Sequence, residues 1–337
     1  MLKTERMDRV RAALRAQGLT QMIVCDPKSV WYLTGVAVEP YERLLALYLP
    51  TEGEPVLFLN RLFNVPEPPC RTVWHTDTDK PVAQIAEVVD AGRPLGIDKE
   101  WPAKFLIPLM ETHPGMQVVL SSDCVDDCRA CKDAEEQTLM REASRINDAV
   151  NEAAKHYIKA GMTEREVAEF IDAQFRVHGC EGPSFTTIVS FGANAADPHH
   201  EPDDTVLKPG DGIVIDMGCE KEGYCSDMTR TFFCETADPD YAAIHDLVRS
   251  ANEKAESLIR PGVRFCDLDK AARDVISEAG YGEYFTHRLG HSIGMQAHEA
   301  GDVSQGNSAE VQEGMTFSIE PGVYLPGKFG VRVEDLV

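Results

Sequence analysis

Two pairs of acidic residues lie in segments whose other residues favour β-strands, and each pair flanks a turn. Asp216 and Asp227 bracket the polar sequence EKEG in VIDMGCEKEGYCSDMTRTF. Glu320 and Glu334 bracket PGK in FSIEPGVYLPGKFGVRVEDLV. Folding the first segment about the 221/222 bond, and the second about the glycine of PGK, predicts that the two acids of each pair face each other. Because like charges at that separation are destabilising, the pattern predicts either a shared proton or a bound cation.

A cluster of histidines lies between the two acidic pairs. The segment THRLGHSIGMQAHE contains His287, His291 and His298. Gly290 and Gly294 flank the middle histidine, so that the backbone can approach closely and the imidazole can project. A single histidine is more often an ordinary core or surface residue. Beside four acids with no basic residue to neutralise them, a metal-binding role is favoured.

The charge of the acids predicts how many ions they bind. Four carboxylates carry four negative charges, which two divalent cations balance, so the pattern predicts a dinuclear site. Oxygen ligands and one imidazole, without a thiolate, favour Mn²⁺, Co²⁺, Fe²⁺ or Zn²⁺ over a metal that prefers thiolates. Two such ions lower the pKa of a water molecule between them and stabilise the charge that develops during a displacement.

The elements that position these residues form two predicted domains. Residues 1–130 alternate strand-like runs such as QMIVC, LLALYL, PVLFL and QVVL with helix-like runs such as ERMDRVRAALRAQ, which is typical of an α/β domain. Asp133 and Glu136 then form a predicted capping box at the start of a long helix that runs towards Gly161. We therefore expect a second domain over residues 131–337.

The second domain contains a faint internal repeat. The segments IKAGMTEREVAEFI (158–171) and IRPGVRFCDLDKAA (259–272) align at an offset of 101 residues. Both indicate the end of one helix, a turn with a glycine and the start of the next helix. The repeat predicts two duplicated halves with the functional site between them.

Composition and charge limit the partners of the chain. Its 337 residues have a net charge of −23, which argues against nucleic acid and anionic membranes. No apolar run is long enough to span a bilayer, and the N-terminus has no signal-peptide pattern. Ten scattered cysteines favour reduced thiols and a cytoplasmic location. In CVDDCRAC the spacing also fits an iron–sulfur motif, but Cys124, Cys128 and Cys131 would share one face of a helix, which favours packing.

These motifs resemble those of the pita-bread metallopeptidases, a family that includes Xaa-Pro aminopeptidase, prolidase and methionine aminopeptidase. The resemblance covers nearly the whole chain. It implies an α/β creatinase-like N-terminal domain, marked by VWYLTG at residues 30–35, and an α+β C-terminal domain with pseudo-twofold halves around a curved antiparallel sheet. Plain methionine aminopeptidases lack such an N-terminal domain, so the likeness is to the proline-specific members.

The resemblance also assigns roles to individual residues through IDMG, SDMTRT, GHSIG, SIEPG and VRVED. The implied metal ligands are Asp216, Asp227, His291, Glu320 and Glu334. The implied catalytic residues are Glu320, which moves a proton, His298, which stabilises the oxyanion, and His199. The implied substrate-binding residues are His199, His287, His298 and Arg332, with His200 as a neighbour of undefined role. A bidentate guanidinium suits a carboxylate, whereas the plain alternative for Arg332 is a surface charge.

The implied activity is hydrolysis of the Xaa-Pro bond at the N-terminus of dipeptides or short peptides by a cytoplasmic homodimer. The compact N-terminal domain favours a dipeptidase (prolidase), and aminopeptidase P acting on longer peptides is the alternative. Two further alternatives are a different chemistry on the same scaffold, such as a lyase acting on an osmolyte, and a catalytically silent protein-binding module. Metal analysis distinguishes the silent module, which should retain less than one equivalent of transition metal.

Two features depart from the family pattern. The chain ends at Val337, three residues after Glu334, where members usually continue. A truncated end or a frayed last hairpin is therefore expected. Asp197 stands where many relatives have an apolar residue, and we expect it to alter the pocket.

Overall fold

The chain, described over residues 2–337 by a computed structural model, divides after Arg129 into two compact units. Among the helices of these residues, none combines the length and the apolar character needed to cross a membrane. Each unit has a hydrophobic core of its own, and the second unit has two. The sequence-based boundary was placed at residue 130.

The first unit is a mixed sheet with helices, as the alternating pattern predicted. Its elements in chain order are α1 (Thr4–Ala16), β1 (Gln21–Val24), α2 (Pro27–Thr34), β2 (Ala46–Pro50), β3 (Val56–Asn60), β4 (Arg71–His75), α3 (Pro81–Ala86), β5 (Leu95–Ile97), α4 (Ala103–Thr112), β6 (Val118–Leu120) and α5 (Asp123–Ala130). The strands are ordered β4-β3-β2-β1-β5-β6. β2 runs antiparallel to β1 and β3, and the other three pairs, β3 with β4, β1 with β5 and β5 with β6, are parallel.

The segment VWYLTG forms the end of α2 in the first unit. Asp26 caps this helix by accepting a hydrogen bond from the Ser29 amide, and Gly35 ends it with φ of 73°, which favours glycine. Arg129 of α5 donates to Asp26 at 3.0 Å in a buried ion pair. The cap of α2 is thus tied to the end of the unit.

The proposed single helical face of three cysteines is wrong. The helix α5 ends at Ala130, so Cys131 lies beyond it, in an antiparallel bridge with Met315. Cys124 is buried in the helix, and burial raises its pKa to about 12. Within residues 2–337 the ten cysteines form no disulfide, which is consistent with the expected reduced thiols.

The second unit alternates pairs of helices with short antiparallel strands. Its elements are α6 (Ala134–Tyr157), α7 (Glu164–Val177), β7 (Gly182–Pro183), β8 (Ile188–Phe191), β9 (Gly212–Met217), β10 (Cys219–Lys221), β11 (Tyr224–Cys225), β12 (Met228–Phe233), α8 (Pro239–Glu256), α9 (Phe265–Glu278), β13 (Gly290–His291), β14 (Asp302–Val303), β15 (Ser318–Ile319), β16 (Gly322–Leu325), β17 (Phe329–Arg332) and β18 (Asp335–Leu336). Short 3₁₀ turns occupy Gly192–Ala196 and Gly282–Tyr284. The predicted capping box of Asp133 and Glu136 begins α6.

The predicted duplication is confirmed by matching helix pairs and turns. α7 and α9 each have 14 residues and are offset by 101. Gly161 and Gly262 both have positive φ, at 94° and 89°, and each amide donates a 2.9 Å hydrogen bond to a later backbone carbonyl. The helices α6 and α7 pack on one core of this unit, and α8 and α9 pack on the other. The second unit is therefore built from two similar halves.

The first hairpin has a different register from the one predicted. Asp216 pairs with Thr229, and Lys221 pairs with Tyr224, so the turn residues are Glu222 and Gly223. Both have positive φ, 49° and 80°, which is the requirement of a type I′ turn. The expected direct pairing of Asp216 with Asp227 is wrong because the turn lies one residue later. Asp227 precedes Thr229 by two residues, so the two aspartates are diagonal neighbours on one face.

The second hairpin has the predicted register. Gly322 pairs with Arg332, and Ile319 pairs with Asp335 beyond the central interruption. Glu320 and Glu334 lie opposite each other in this register. The expected fraying of the last hairpin is wrong, because Asp335–Leu336 pairs with β15 and the Val337 amide donates to the Phe317 carbonyl at 3.0 Å.

The two hairpins meet along β12. The amide of Glu334 donates to the carbonyl of Thr229 at 3.1 Å, and the Thr231 hydroxyl donates to the carbonyl of Arg332 at 2.8 Å. This junction brings the acids of both halves to one place.

Candidate active site

A cavity of about 660 Å³ lies between the two halves of the second unit. Every residue that the sequence placed in the site lines it: Asp216, Asp227, His291, Glu320, Glu334, His199, His287, His298 and Arg332. Residues more than 100 positions apart in the chain, such as Asp216 and Glu334, thus share one space, as the internal repeat predicted.

Three carboxylates in the cavity each have a buried oxygen without a hydrogen-bond partner among residues 2–337. These atoms are Oδ1 of Asp216, Oδ1 of Asp227 and Oε1 of Glu334. Their residues are at most 9% exposed. A buried carboxylate oxygen without a donor is costly, so three of them in one cavity indicate that a cation completes their surroundings.

Burial and mutual repulsion disfavour the charged form of these acids. The pKa of Asp227 is raised well above its ordinary value by burial, then by the charges of Glu334 and Asp216. The pKa of Glu334 is raised in the same way by burial and by Glu320. A divalent ion would reverse both effects, because it replaces the lost hydration and offsets the repulsion. The donor set therefore fits a metal ion.

His291 presents a lone pair to the same acids. Its Nδ1 lies 3.2 Å from the carbonyl of Ser292, which can only accept, so Nδ1 carries the proton. Nε2 then faces Asp227 and Glu320, each at 3.5 Å. Burial lowers the pKa of His291 to about 3, which keeps the ring neutral. Ligand atoms of Asp227, His291 and Glu334 lie within 4.8 Å of one another, an arrangement typical of a metal site.

Glu320 accepts a hydrogen bond from a hydroxyl group two residues earlier in the chain. The Ser318 hydroxyl donates to its Oε1 at 3.1 Å, and its side chain is 15% exposed. Burial raises its pKa to about 7. A carboxyl group that titrates near neutrality can both accept and return a proton, as a general base and acid must.

The expectation that no basic residue neutralises the acids is wrong, because Arg332 lies among them. The guanidinium is 3% exposed, which also excludes the surface charge considered for it. Nη2 donates to Oδ2 of Asp216 at 2.6 Å and Nε donates to the Thr229 hydroxyl at 2.9 Å. Nη1 donates to the Pro198 carbonyl and the Tyr324 hydroxyl. The four carboxylates and this cation together carry a net charge of −3.

Both ring nitrogens of His287 are occupied by protein partners. Nδ1 lies 2.7 Å from the carbonyl of Arg288, and Nε2 lies 2.8 Å from the hydroxyl of Tyr324. Because the carbonyl only accepts, Nδ1 donates and Nε2 accepts from the tyrosine. Burial lowers the pKa of His287 to about 4. The ring is therefore a neutral wall of the cavity and has no free polar atom for a ligand.

The segment that carries His199 is held by Glu164, which sequence reasoning missed. This fully buried carboxylate accepts from the Phe191 amide at 2.7 Å, the Asn194 side chain at 3.0 Å and the Asp203 amide at 3.1 Å, and it lies 2.7 Å from Nε2 of His200. The only sequence signal was an acid at the first position of α7.

Asp197 has a structural role beside this segment. It is exposed, and its Oδ1 accepts from the amide of His199 at 3.0 Å. It is not among the residues lining the cavity. It supports the turn before His199, and the expectation that it alters the pocket stays a prediction. The imidazole of His199 is exposed and has no hydrogen-bond partner among residues 2–337.

His298 lies against His291, with ring centroids 4.1 Å apart and nearly perpendicular. Burial and the charge of Arg288 lower its pKa, which favours the neutral ring. The next residue, Glu299, forms a buried ion pair with Lys132 at 3.2 Å and accepts from the Met295 amide at 2.8 Å. This pair, which sequence reasoning also missed, fixes the loop that carries His298.

The sequence of the chain matches two protein-family profiles. Metallopeptidase family M24 matches residues 138–337, and the Creatinase/Prolidase N-terminal domain matches residues 6–131. A putative dipeptidase of Bacillus subtilis is 35% identical, with 98% of this chain and 93% of that protein covered.

Solved structures show the same similarity. A recombinant prolidase from Thermococcus sibiricus has a TM-score of 0.94 and 33% identity, covering 100% of this chain and 94% of that one. An X-Pro aminopeptidase from Thermotoga maritima has a TM-score of 0.85 and 29% identity, covering 97% and 94%. The cavity therefore lies in a pita-bread fold, and the chain belongs to metallopeptidase family M24, whose members depend on divalent metal ions.

Proposed function

We propose that this metallopeptidase is an exopeptidase that hydrolyses the Xaa-Pro bond of dipeptides with two divalent metal ions, Mn²⁺ being the proposed metal. The observation that carries the proposal is the set of three partnerless buried carboxylate oxygens, together with the neutral His291, in one cavity. The names of the similar proteins, dipeptidase and prolidase, support the choice of substrate.

The proposed ligands are Asp216, Asp227, His291, Glu320 and Glu334. After Arg332 is counted, the acids still carry more negative charge than one divalent ion balances, which supports two ions. Oxygen and imidazole donors favour Mn²⁺, Co²⁺, Fe²⁺ or Zn²⁺ over soft thiolate-preferring metals. When bound, the ions would supply Lewis acidity and lower the pKa of the attacking water.

The remaining chemistry falls to side chains of this chain. Glu320 would accept the proton of the attacking water and return it to the departing proline nitrogen. His298 donates from its neutral ring to the carbonyl oxygen as negative charge develops there. The free amino group of the substrate lies near the acids, which explains cleavage at the N-terminus.

The selection of proline depends on the absence of an N–H group at its amide nitrogen. An Xaa-Pro amide has no N–H, so peptidases that bind that N–H cannot hold it. The ring of His287, whose nitrogens are both engaged, forms an apolar wall for the pyrrolidine ring. His199, with a free imidazole, contacts the substrate from the opposite segment.

The experiment is a metal titration combined with a substrate panel. The chain is stripped with a chelator, reconstituted with Mn²⁺ and analysed for bound metal and for cleavage of Ala-Pro, Ala-Pro-Ala-Ala and Ala-Ala. We expect the reconstituted chain to bind two equivalents of metal and to cleave Ala-Pro. The stripped chain should not cleave it. Cleavage of the longer peptide alone would assign aminopeptidase P. Less than one equivalent of metal and no cleavage would favour a silent binding module. A homodimer and a cytoplasmic location stay predictions from the sequence.

A further inference from the structure

Two arginines line the cavity, and they differ in what their guanidinium groups contact. Arg332 is buried and donates four hydrogen bonds to protein acceptors, including Asp216. Arg288 is exposed at the same cavity. Within residues 2–337 its guanidinium makes no hydrogen bond and no ion pair. Four of the five N–H groups of Arg332 are thus engaged, whereas those of Arg288 are open, so Arg288 is the arginine that can bind a ligand through two parallel hydrogen bonds.

The main chain on either side of Arg288 is fixed. Its own carbonyl accepts from Nδ1 of His287 at 2.7 Å. The preceding carbonyl accepts from Arg273 at 2.9 Å, and the following amide donates to Asp269 at 3.1 Å. Asp269 is fully buried and pairs with Arg273 at 2.8 Å. Three hydrogen bonds thus hold the main chain at Arg288, while its guanidinium has no protein partner and faces the cavity.

What sets Arg288 apart is its place at the cavity. Some exposed arginines pair with a nearby acid, as Arg264 does with Asp267 at 2.8 Å and Arg165 with Asp204 at 3.1 Å. Others, such as Arg176, have no such pair within residues 2–337, but they do not line the cavity. The charge of Arg288 also reaches the reacting centre, because after burial it is the next cause of the lowered pKa of His298. A planar guanidinium in this position matches a carboxylate.

We propose that Arg288, rather than Arg332, binds a carboxylate of the substrate and determines which peptides are accepted. The inference rests on the proposed peptidase function and corrects the role that the family resemblance implied for Arg332. Two groups have this chemistry: the C-terminal carboxylate of a dipeptide and the side chain of an acidic first residue. The first would make Arg288 the feature that selects dipeptides over longer chains.

The test compares Arg288→Gln and Arg288→Lys with the wild-type chain on Ala-Pro, Ala-Pro-amide and Asp-Pro, all reconstituted with Mn²⁺. Arg176→Gln, an exposed arginine on α7 away from the cavity, controls for the loss of one positive charge. Bound metal is measured in each variant and should be unchanged, since Arg288 is not a proposed ligand.

We expect Arg288→Gln to lower kcat/KM for Ala-Pro by about 10- to 100-fold, mainly through KM, because a charge-assisted hydrogen bond is lost. Arg288→Lys should lose less, and Arg176→Gln should match the wild type. An unchanged rate on the amide would identify the C-terminal carboxylate, and a loss confined to Asp-Pro would identify the acidic side chain. Equal losses on all three substrates, or none, would overturn the proposal. If the wild-type chain cleaves only non-prolyl dipeptides, the proposed function fails, and Ala-Ala with its amide measures the role of Arg288 instead.

Discussion

Arg332 donates a 2.6 Å hydrogen bond from Nη2 to Oδ2 of Asp216, and the other oxygen of this carboxylate meets no donor from residues 2–337. The arginine therefore orients one oxygen of Asp216 and leaves the second one open. Through Nε it also contacts the Thr229 hydroxyl, which donates to Oε2 of Glu334 at 2.7 Å. One buried cation thus positions an acid from each half.

We expect Arg332→Met to reduce activity by roughly 10- to 100-fold, the range for partners that orient metal ligands. Arg332→Lys should recover little, because an ammonium cannot make the four hydrogen bonds of the planar group. Activity and bound metal are measured in parallel. A lysine variant with wild-type activity would show that charge alone matters at this position.

Glu320 should make the stability of the metal-free chain depend on pH. Its pKa is raised from 4.5 to about 7, so its contribution to stability is fully present below pH 4.5 and is lost as the pH rises through about 7. Glu320→Gln removes this titration. In chelator the variant should match the wild type near pH 4.5 and be roughly 3 kcal/mol more stable above pH 7.

The measurement is denaturant unfolding of both proteins across this pH range. The titration of His287 occurs in both proteins and cancels in the difference. The pKa of Glu334 is raised partly by the charge of Glu320, so its titration contributes to the difference as well. Excess Mn²⁺ should abolish the advantage of the variant. A difference that grows towards acid would contradict the assigned direction of the shift.

The buried pair of Lys132 and Glu299 should matter for stability and for turnover. Removing one member leaves a buried charge, so Lys132→Met should lower the free energy of unfolding by about 3 kcal/mol. It should also lower kcat, because Glu299 adjoins His298. Lys270→Met, which breaks an exposed pair with Asp274, is the matched control and should change stability by less than about 0.5 kcal/mol. Equal effects of the two substitutions would contradict the role of the buried pair.

Gly290 lies where a strand must pass close to its neighbour. A Cβ atom on it would be 1.9 Å from the carbonyl oxygen of Ser318, so Gly290→Ala must displace β13 or β15. We expect a less stable protein that retains less metal, because His291 follows this glycine. Gly306→Ala, which meets nothing closer than 3.8 Å, is the control. Metal content and thermal unfolding are measured on both.

The sequence predicted those parts of the site that depend on local patterns, such as the turns of the two hairpins. The second hairpin was correct because PGK places Gly327, with φ of 71°, in its turn and the flanking strands pair symmetrically. The first hairpin was shifted because the non-glycine Glu222 adopts positive φ, which EKEG does not reveal. The nine cavity residues came from the family resemblance together with these patterns.

Other parts of the site could not be predicted because they depend on contacts between distant segments. Lys132 and Glu299 are 167 positions apart, and no local spacing links them. The family resemblance gave a substrate-binding role to Arg332, and no pattern in the sequence pointed to Arg288. Only packing shows that the first is enclosed by four acceptors and that the second is open.

The acids of the cavity come from both halves of the second unit, Asp216 and Asp227 from the first and Glu320 and Glu334 from the second. Neither half alone therefore holds a full set of donors. A polypeptide cleaved between β12 and α8 would give two inert fragments, and their reassociation should strengthen as divalent ion is added. The divalent ion would then control the complementation of two protein fragments, and recovered peptidase activity would report that the fragments had reassociated.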